Sequence, residues 1–255
     1  MIVYRDIEQR SEEWFKLRLG IPTASEFKRI VTPGGKLSTQ CEGYLDELLA
    51  EWILGVPLEN FSSEWMLRGQ ELEPQARQAY EFLVEAKVEK VGFVTTDDGM
   101  IGASPDGFVG DSRLVEIKSP SEKVHVGYMR HREIDAEYKP QIQGTLWICE
   151  RQAQDVVSYH PKLPMVVIPA ERDDKYIALL DSALREFVDK LLTAREELEA
   201  RYGLFQRAEK PVEALDGIPG LGITEEDLEA LIQAKRPLGE QPDGIFAVDK
   251  LQENN

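Results

Sequence analysis

Residues 102–120 of this 255-residue chain read Gly102-Ala-Ser-Pro-Asp-Gly-Phe-Val-Gly-Asp-Ser-Arg-Leu-Val-Glu-Ile-Lys-Ser-Pro120. Two short strand-like runs flank a Ser-Pro-Asp-Gly turn. In the second run apolar and polar residues alternate, so a period of two places Glu116 and Lys118 on one face of a strand. The turn can bring the carboxylate of Asp106 to that same face. Two carboxylates beside one lysine suit a Mg²⁺ site, because Mg²⁺ prefers oxygen ligands and takes few protein carboxylates.

The composition is typical of a globular protein, with 42% apolar and 30% charged residues. No apolar run approaches membrane-spanning length, so we expect no membrane partner and a cytoplasmic location. The two cysteines exclude a disulfide framework. The net charge of −17 disfavours tight non-specific binding of nucleic acid, yet residues 1–37 carry seven basic and five acidic groups. A protein that encloses nucleic acid can combine an acidic exterior with a basic lining.

Helical periodicity and cap residues predict helices before and after a region of strands. The predicted helices cover residues 11–20, 24–31, 39–54, 64–85, 139–150 and 173–202, and the predicted strands lie within 88–118 and at 155–159 and 165–169. A soft interruption of the 64–85 helix is expected at Gly69 and Pro74. A capping-box pattern at Thr23 predicts the start of the second helix, and Asp98-Gly99 predicts a hairpin turn. This order predicts an α/β fold in which helices flank a small mixed central sheet.

The domain organisation follows a change in composition after Gly203. Residues 1–204 would form one domain with a single core. Residues 205–255, rich in Pro and Gly, would form a C-terminal appendage that matches no known role, with one short helix from Thr224.

Five short motifs occur in a fixed order along the chain. They are W-x-x-x-R-x-G-x-x-T-A-S at 14–25, R-G-x-x-x-E-x-x-A-R at 68–77, S-P-D-G at 104–107, L-V-E-I-K at 114–118 and Q-x-Q at 141–143. Together they resemble lambda exonuclease and the YqaJ-type viral recombinase nucleases of the PD-(D/E)xK superfamily, over about residues 9–200. The resemblance implies a PD-(D/E)xK restriction-endonuclease-like core that digests linear double-stranded DNA in the 5′→3′ direction. The products would be 5′-mononucleotides and 3′ overhangs, used in phage or prophage recombination.

The resemblance also implies partners and a cofactor. A ring-shaped homotrimer would thread the DNA, and a single-strand annealing protein would accompany the nuclease. Mg²⁺, for which Mn²⁺ could substitute, would be bound by Asp106, Glu116 and the backbone carbonyl of Ile117. Lys118 would contact the attacking water or the scissile phosphate; the simpler interpretation is a salt bridge to Glu116.

Further residues are assigned by the same resemblance, each beside a simpler interpretation. Glu73 would complete the metal shell or hold a water, unless it is a helix acid that pairs with Arg77. Gln141 would position the attacking water, but the sequence does not separate it from Gln143. The acidic pair Asp97-Asp98 could join the metal site or simply form the hairpin turn.

Arg18 and Ser25 match the family residues that hold the 5′-phosphate of the digested strand. An arginine offers a forked donor, and Ser25 lies near a predicted helix N-terminus. The simpler interpretation is that Arg18 is an exposed helix residue and Ser25 a cap. Lys36, in a glycine-containing loop, would add a phosphate contact.

Two other functions remain open at this point. One is a PD-(D/E)xK endonuclease of the restriction or repair type, which would also cut covalently closed DNA. The other is a non-catalytic module that binds DNA ends without turnover. The intact set of Asp106, Glu116 and Lys118 argues against a decayed site.

Overall fold

The computed structural model describes residues 1–58 and 64–203. In chain order the elements are β1 (Ile2–Tyr4), α1 (Glu12–Arg18), a first 3₁₀ helix (Ala24–Arg29), α2 (Cys41–Leu54), α3 (Glu64–Val84), β2 (Val88–Glu89), β3 (Phe93–Thr95), β4 (Gly102–Ala103), β5 (Gly107–Val109), β6 (Arg113–Lys118), α4 (Glu122–His131), a second 3₁₀ helix (Ala136–Tyr138), α5 (Lys139–Ile148), β7 (Ala153–Ser158), β8 (Val166–Glu171) and α6 (Asp174–Tyr202). The strands form a three-stranded sheet in the order β1-β3-β4 and a five-stranded sheet in the order β2-β5-β6-β7-β8.

The five-stranded sheet is mixed. Strand β6 pairs antiparallel with β5 and parallel with β7, while β7 pairs antiparallel with β8. The parallel pair requires a crossover, because parallel strands cannot be joined by a tight turn. Helices α4 and α5 lie within that crossover. The predicted α/β fold, with a small mixed sheet flanked by helices, is confirmed.

The alternation along β6 divides the core between the two faces of the sheet. Leu114 belongs to a large apolar cluster built with α2, α5 and α6. Val115 belongs to a small cluster on the other face, where it packs with Tyr80 of α3 and Val157 of β7. The predicted period of two is therefore confirmed, and it leaves Glu116 and Lys118 on the face that α5 covers.

The long amphipathic helices are confirmed within two residues of their predicted ends. Helix α6 buries residues at helical spacing, among them Leu180, Leu184, Phe187 and Leu191. Helix α2 ends at Gly55, whose φ of 68° is a left-handed conformation that glycine adopts without strain.

Three predictions about local structure are wrong. Residues 24–29 form a 3₁₀ helix, and the Thr23 side chain makes no capping hydrogen bond because it accepts one from Arg18 instead. Helix α3 continues through Pro74, where an interruption was expected. The strands of 88–118 are divided between two sheets, although the hairpin turn at Asp98-Gly99 is confirmed between β3 and β4.

Three elements were not predicted at all, namely β1, α4 and the second 3₁₀ helix. The predicted helix from Thr224 and the predicted appendage, residues 205–255, lie outside the described residues. Within the part of the chain that is described, no helix has both the length and the apolar character needed to cross a bilayer.

Candidate active site

Glu116 is the centre of a polar cluster on the face of β6 that α5 covers. Glu116 is only 6% exposed. The Glu116 Oε1 atom accepts a hydrogen bond from Lys118 Nζ at 2.7 Å and another from Gln141 Nε2 at 2.9 Å. The predicted salt bridge is therefore present, and the strand and the helix are joined through one carboxylate oxygen.

Asp106 lies at the edge of the same strand. Its Oδ2 atom accepts a hydrogen bond of 2.6 Å from the backbone N–H of Ile117. The carbonyl of Lys118 accepts from Tyr159 on the β7 side. Because successive residues of a strand direct their backbone groups to opposite edges, the carbonyl of Ile117 faces the same edge as Asp106. Two carboxylates and one backbone oxygen therefore converge at the end of β6.

The charge in this cluster is unbalanced. Burial and the neighbouring Glu116 carboxylate raise the pKa of Asp106 well above its ordinary value, against the opposing effect of the Ile117 N–H and the Lys118 ammonium. For Lys118, burial lowers the pKa, but Glu116 and Asp106 outweigh it and leave that pKa raised. A cluster that holds its lysine protonated and still resists ionisation of Asp106 favours the binding of a further cation.

Glu73, on α3, lies near this cluster but is engaged elsewhere. It forms a close ion pair with Arg77, and Arg10 approaches it at 3.6 Å. Its negative charge still contributes to the raised pKa of Asp106. Across residues 1–58 and 64–203, no three His, Cys, Asp or Glu side chains converge as a ready metal cage. The pairing of Glu73 with Arg77 is thus present, and its role toward a metal stays a prediction.

The other acidic pair is explained by local contacts. Asp97 accepts from the N-terminal ammonium of Met1 at 2.7 Å. Asp98 accepts from the hydroxyl of Thr96 and from the N–H of Met100, which closes the turn between β3 and β4. The Asp98 contacts are those of a hairpin turn, the Asp97 contact is an ion pair with the N-terminal ammonium, and none of them joins the pair to Asp106.

The two glutamines of α5 face different parts of the molecule. Gln141 donates to Glu116. Gln143 is 5% exposed, donates to the carbonyl of Glu171 and accepts from the N–H of Asp173. Both ends of the Gln143 amide are therefore used to hold β8 and the start of α6, which places only Gln141 at the carboxylate cluster.

Arg18, at the end of α1, is half-buried and lies beside the turn that carries Ser104. Its guanidinium lies 4.1 Å from the ring centroid of Trp14, and burial lowers its pKa. It donates to Ser104 Oγ and to Thr23 Oγ1, both at 3.3 Å. The Thr23 hydroxyl lies 3.4 Å from Ser25 Oγ. Two hydroxyls thus lie on the Arg18 guanidinium and a third lies next to one of them. We call Arg18, Thr23, Ser25 and Ser104 the candidate anion pocket, because such donors suit an anion.

A cavity of about 150 Å³ lies between Ser25 and Gln141, the glutamine that donates to Glu116. It is lined by Ser25, Lys28, Asp135, Glu137, Tyr138 and Gln141. Ser25 is exposed, and the N-cap position of its 3₁₀ helix is Thr23, so Ser25 is not the cap. Lys36 is exposed in a turn closed by Thr32, and among the described residues no hydrogen bond or ion pair joins it to Arg18 or Ser25.

Four residues of this region were given no functional role from the sequence. They are Thr23 and Ser104, which contact Arg18, Lys28, which lines the cavity, and Tyr138, whose ring centroid lies 4.9 Å from Lys118 Nζ. Thr23 and Ser104 stood inside the quoted motifs, next to residues that were chosen. Tyr138 precedes Gln141 by three residues, a spacing that puts both on one side of a helix start.

A family model described as the YqaJ-like viral recombinase domain matches residues 13–152. The Escherichia coli K12 protein ExoD is 27% identical over 73 residues, which cover 28% of this chain and 84% of ExoD.

Solved structures give a likeness over most of the chain. LHK-Exo, an alkaline exonuclease from Laribacter hongkongensis, is 33% identical with a TM-score of 0.69, over 76% of this chain and 98% of LHK-Exo. Its complex with dAMP gives 34% identity, the same TM-score and the same coverage. A phage-related exonuclease from Haemophilus somnus 129PT shares the fold at 15% identity, with a TM-score of 0.52 over 68% of this chain and 96% of that one.

Proposed function

Because the chain belongs to the YqaJ-like viral recombinase family and has the PD-(D/E)xK fold of its nucleases, we propose that it is a 5′→3′ exonuclease of linear double-stranded DNA. It would depend on a divalent cation and leave 5′-mononucleotides and a 3′ overhang. The observation that carries the proposal is the convergence of Asp106, Glu116 and Lys118 at the end of β6, beside Gln141. Family membership supports a nuclease, and this cluster supplies the groups that phosphodiester hydrolysis needs.

The residues fit a Mg²⁺ or Mn²⁺ ion. Asp106, Glu116 and the carbonyl of Ile117 would hold it, and all three offer the oxygen atoms that these cations prefer. The raised pKa of Asp106 reflects burial first and then repulsion from Glu116, and a bound cation would relieve that repulsion. Glu73 would act from farther away, through a water molecule. When bound there, the cation supplies positive charge to the scissile phosphate.

The protein's own side chains have separate tasks in this mechanism. Lys118 remains protonated beside Glu116, so its ammonium would stabilise the charge that develops on the phosphate rather than act as a base. Gln141 donates through Nε2 to Glu116, and its Oε1 accepts from none of the described residues. That oxygen would accept a hydrogen bond from the attacking water and orient it for in-line attack.

The 5′ direction would come from the candidate anion pocket. Arg18, Thr23, Ser25 and Ser104 would bind a terminal phosphate, which carries more charge than an internal diester. The cavity between this pocket and Gln141 would then separate the terminal phosphate from the bond that is cleaved. Lys36 would contribute only from the surface.

Assembly and partners rest on the family resemblance. A homotrimeric ring with an acidic exterior would thread the duplex, and a single-strand annealing protein would receive the 3′ overhang. The phage or prophage origin belongs to the same proposal. The mass of the full chain in solution tests the first of these, and a monomer with full processive activity would contradict the ring.

Three DNA substrates test the proposed activity: a linear duplex with 5′-phosphates, the same duplex with 5′-hydroxyls, and a covalently closed circle. With Mg²⁺ we expect mononucleotides from the linear duplexes, faster release from the phosphorylated ends, and an intact circle. EDTA should stop the reaction. Cutting of the circle would indicate an endonuclease, and binding without turnover would indicate a non-catalytic module.

Arg18→Ala gives a sharper test of the pocket. We expect this variant to lose most of the preference for phosphorylated ends, while Lys36→Ala keeps it. If the wild-type protein does not discriminate between the two ends, or if Arg18→Ala discriminates equally well, the 5′-phosphate is bound elsewhere.

A further inference from the structure

Asp106 stands where the chain passes from one sheet to the other. Strand β4 ends its pairing with β3 at Ala103, and β5 begins its pairing with β6 at Gly107. The three residues between them belong to neither ladder, and Pro105 has no N–H to donate. The backbone that presents the Asp106 carboxylate is therefore not held by sheet hydrogen bonds.

Two side chains of the N-terminal segment replace those missing bonds. Gln9 Nε2 donates to the carbonyls of Val91 and Pro105, at 2.9 Å each. Trp14 Nε1 lies 3.0 Å from both the carbonyl of Gly92 and the hydroxyl of Ser104. Each side chain thus joins the residues before β3 to the residues just before Asp106.

The N-terminal segment is packed tightly enough to act as a brace. The N–H of Gly92 donates to the carbonyl of Tyr4. A Cβ atom at Gly92 would lie 2.0 Å from the carbonyl oxygen of Ile7, so only glycine allows this approach. The backbone that carries Gln9 is therefore anchored two residues away.

We propose that Gln9 is a positioning residue for Asp106, which it acts on through the carbonyl of Pro105. A primary amide is the group required here, because its two N–H bonds can serve two carbonyl oxygens at once. By fixing Pro105, Gln9 keeps the Asp106 carboxylate against the N–H of Ile117 and beside Glu116. The inference rests on the proposed cation site formed by these carboxylates.

Gln9→Glu is the sharpest variant, since it keeps the shape of the side chain and sets a carboxylate against two carbonyl oxygens. Gln9→Ala removes the contacts without repulsion and serves if the first variant is unstable. Gln143→Glu is the matched control. It also removes an amide donor from a backbone carbonyl, that of Glu171, but it acts on β8 and α6 and not on Asp106.

The test measures Mn²⁺ binding to the full-length, metal-free protein without DNA. The electron paramagnetic resonance signal of free Mn²⁺ reports the binding, and the melting temperature is measured in parallel. Outer-shell changes typically weaken metal binding by about 10- to 100-fold, and we expect at least about tenfold for either Gln9 variant. Gln143→Glu should lower the melting temperature and leave the Mn²⁺ dissociation constant unchanged.

The outcomes distinguish failure of the positioning role of Gln9 from failure of the cation site. Wild-type Mn²⁺ affinity in both Gln9 variants would overturn the positioning role and leave the cation site intact. Equal weakening in the Gln143 variant would also overturn it, because general destabilisation would then explain the loss. Absence of Mn²⁺ binding in the wild-type protein would overturn the cation site itself, and the inference with it.

Discussion

The central sheet buries one carboxylate on each of its faces, and the two sites differ in a way that separates chemistry from structure. Glu116 lies on the α5 face and Asp155 on the α3 face, and each is 6% exposed. Glu116 accepts from Lys118 and Gln141. Asp155 accepts from Arg113 at 2.6 Å and from the hydroxyl of Tyr80 at 2.7 Å. Each acid therefore has one cationic and one neutral donor.

The difference lies in how the charge and the oxygen atoms are used. Asp155 uses both oxygens, one for each donor, and one positive charge balances it. Both donors of Glu116 reach Oε1, and Asp106 adds a second carboxylate close by. A buried ion pair is common in structural networks, whereas an excess of buried carboxylate is costly unless something else binds there. The excess, and not the burial, marks the candidate site.

The largest expected effect is loss of activity on substitution at the α5 face, where buried negative charge is in excess. Asp106→Asn, Glu116→Gln and Lys118→Met should each lower the initial rate of mononucleotide release with Mg²⁺ by at least about 100-fold, because each removes a cation ligand or a charge-stabilising group. Circular dichroism should show an intact fold. Turnover close to wild type in any of the three would remove that residue from the active site.

Substitution of Asp155 on the α3 face, where Arg113 balances the charge, should lower stability and not activity. Asp155→Asn leaves Arg113 without its charged partner, and we expect a loss of about 2 kcal/mol in the free energy of unfolding. This is less than the loss from breaking a fully buried ion pair, because Arg113 is partly exposed. Urea denaturation measures this loss. The rate per folded molecule should stay near wild type, and a 100-fold drop would erase the distinction between the faces.

Gln141 and Gln143 repeat the comparison on one helix with smaller effects. Gln141→Leu should lower the rate by about tenfold at nearly unchanged stability, because the attacking water loses its orientation. Gln143→Leu should cost about 1–3 kcal/mol of stability by leaving the Glu171 carbonyl and the Asp173 N–H unpaired. Rate and urea midpoint measured on both variants would show whether the two effects separate in this way.

The smallest effect concerns pH and the metal-free protein. A raised pKa means that the folded state holds the Asp106 proton more tightly than the unfolded state, so this group lowers stability as the pH rises from about 4 toward its folded pKa. Asp106→Asn should therefore raise the melting temperature at neutral pH, by about 2–4 °C for each kcal/mol. The gain should vanish below about pH 4. A lower melting temperature at neutral pH would contradict the excess of charge.

The extent to which sequence predicted this molecule follows from the length of each pattern. Helices α2 and α6 repeat their apolar spacing over several turns, which defines their ends. Strands of two or three residues, such as β1 and β4, are too short to show a period. The division of the strands between two sheets was therefore beyond the sequence.

For the candidate site, the alternation in β6 predicted that Glu116 and Lys118 share a face. The sequence did not separate Gln141 from Gln143, because residues two apart on a helix point about 200° apart and the choice depends on which side meets the sheet. Thr23 was assigned to a cap because hydrogen bonds to the nearby backbone are easier to predict from sequence than side-chain contacts. The hydrogen bond that its hydroxyl accepts from Arg18, five residues away, is of the second kind. Contacts made through tertiary structure account for each of these gaps.

The most direct test of the account is equilibrium Mn²⁺ binding by the two matched acid-to-amide variants. Asp106→Asn should lose most of the wild-type affinity, because it removes a carboxylate from the face with excess charge. Asp155→Asn should bind Mn²⁺ as the wild-type protein does, because its carboxylate is already neutralised on the other face. Equal binding by both variants, or selective loss in Asp155→Asn, would contradict the assignment of the cation site to Asp106 and Glu116.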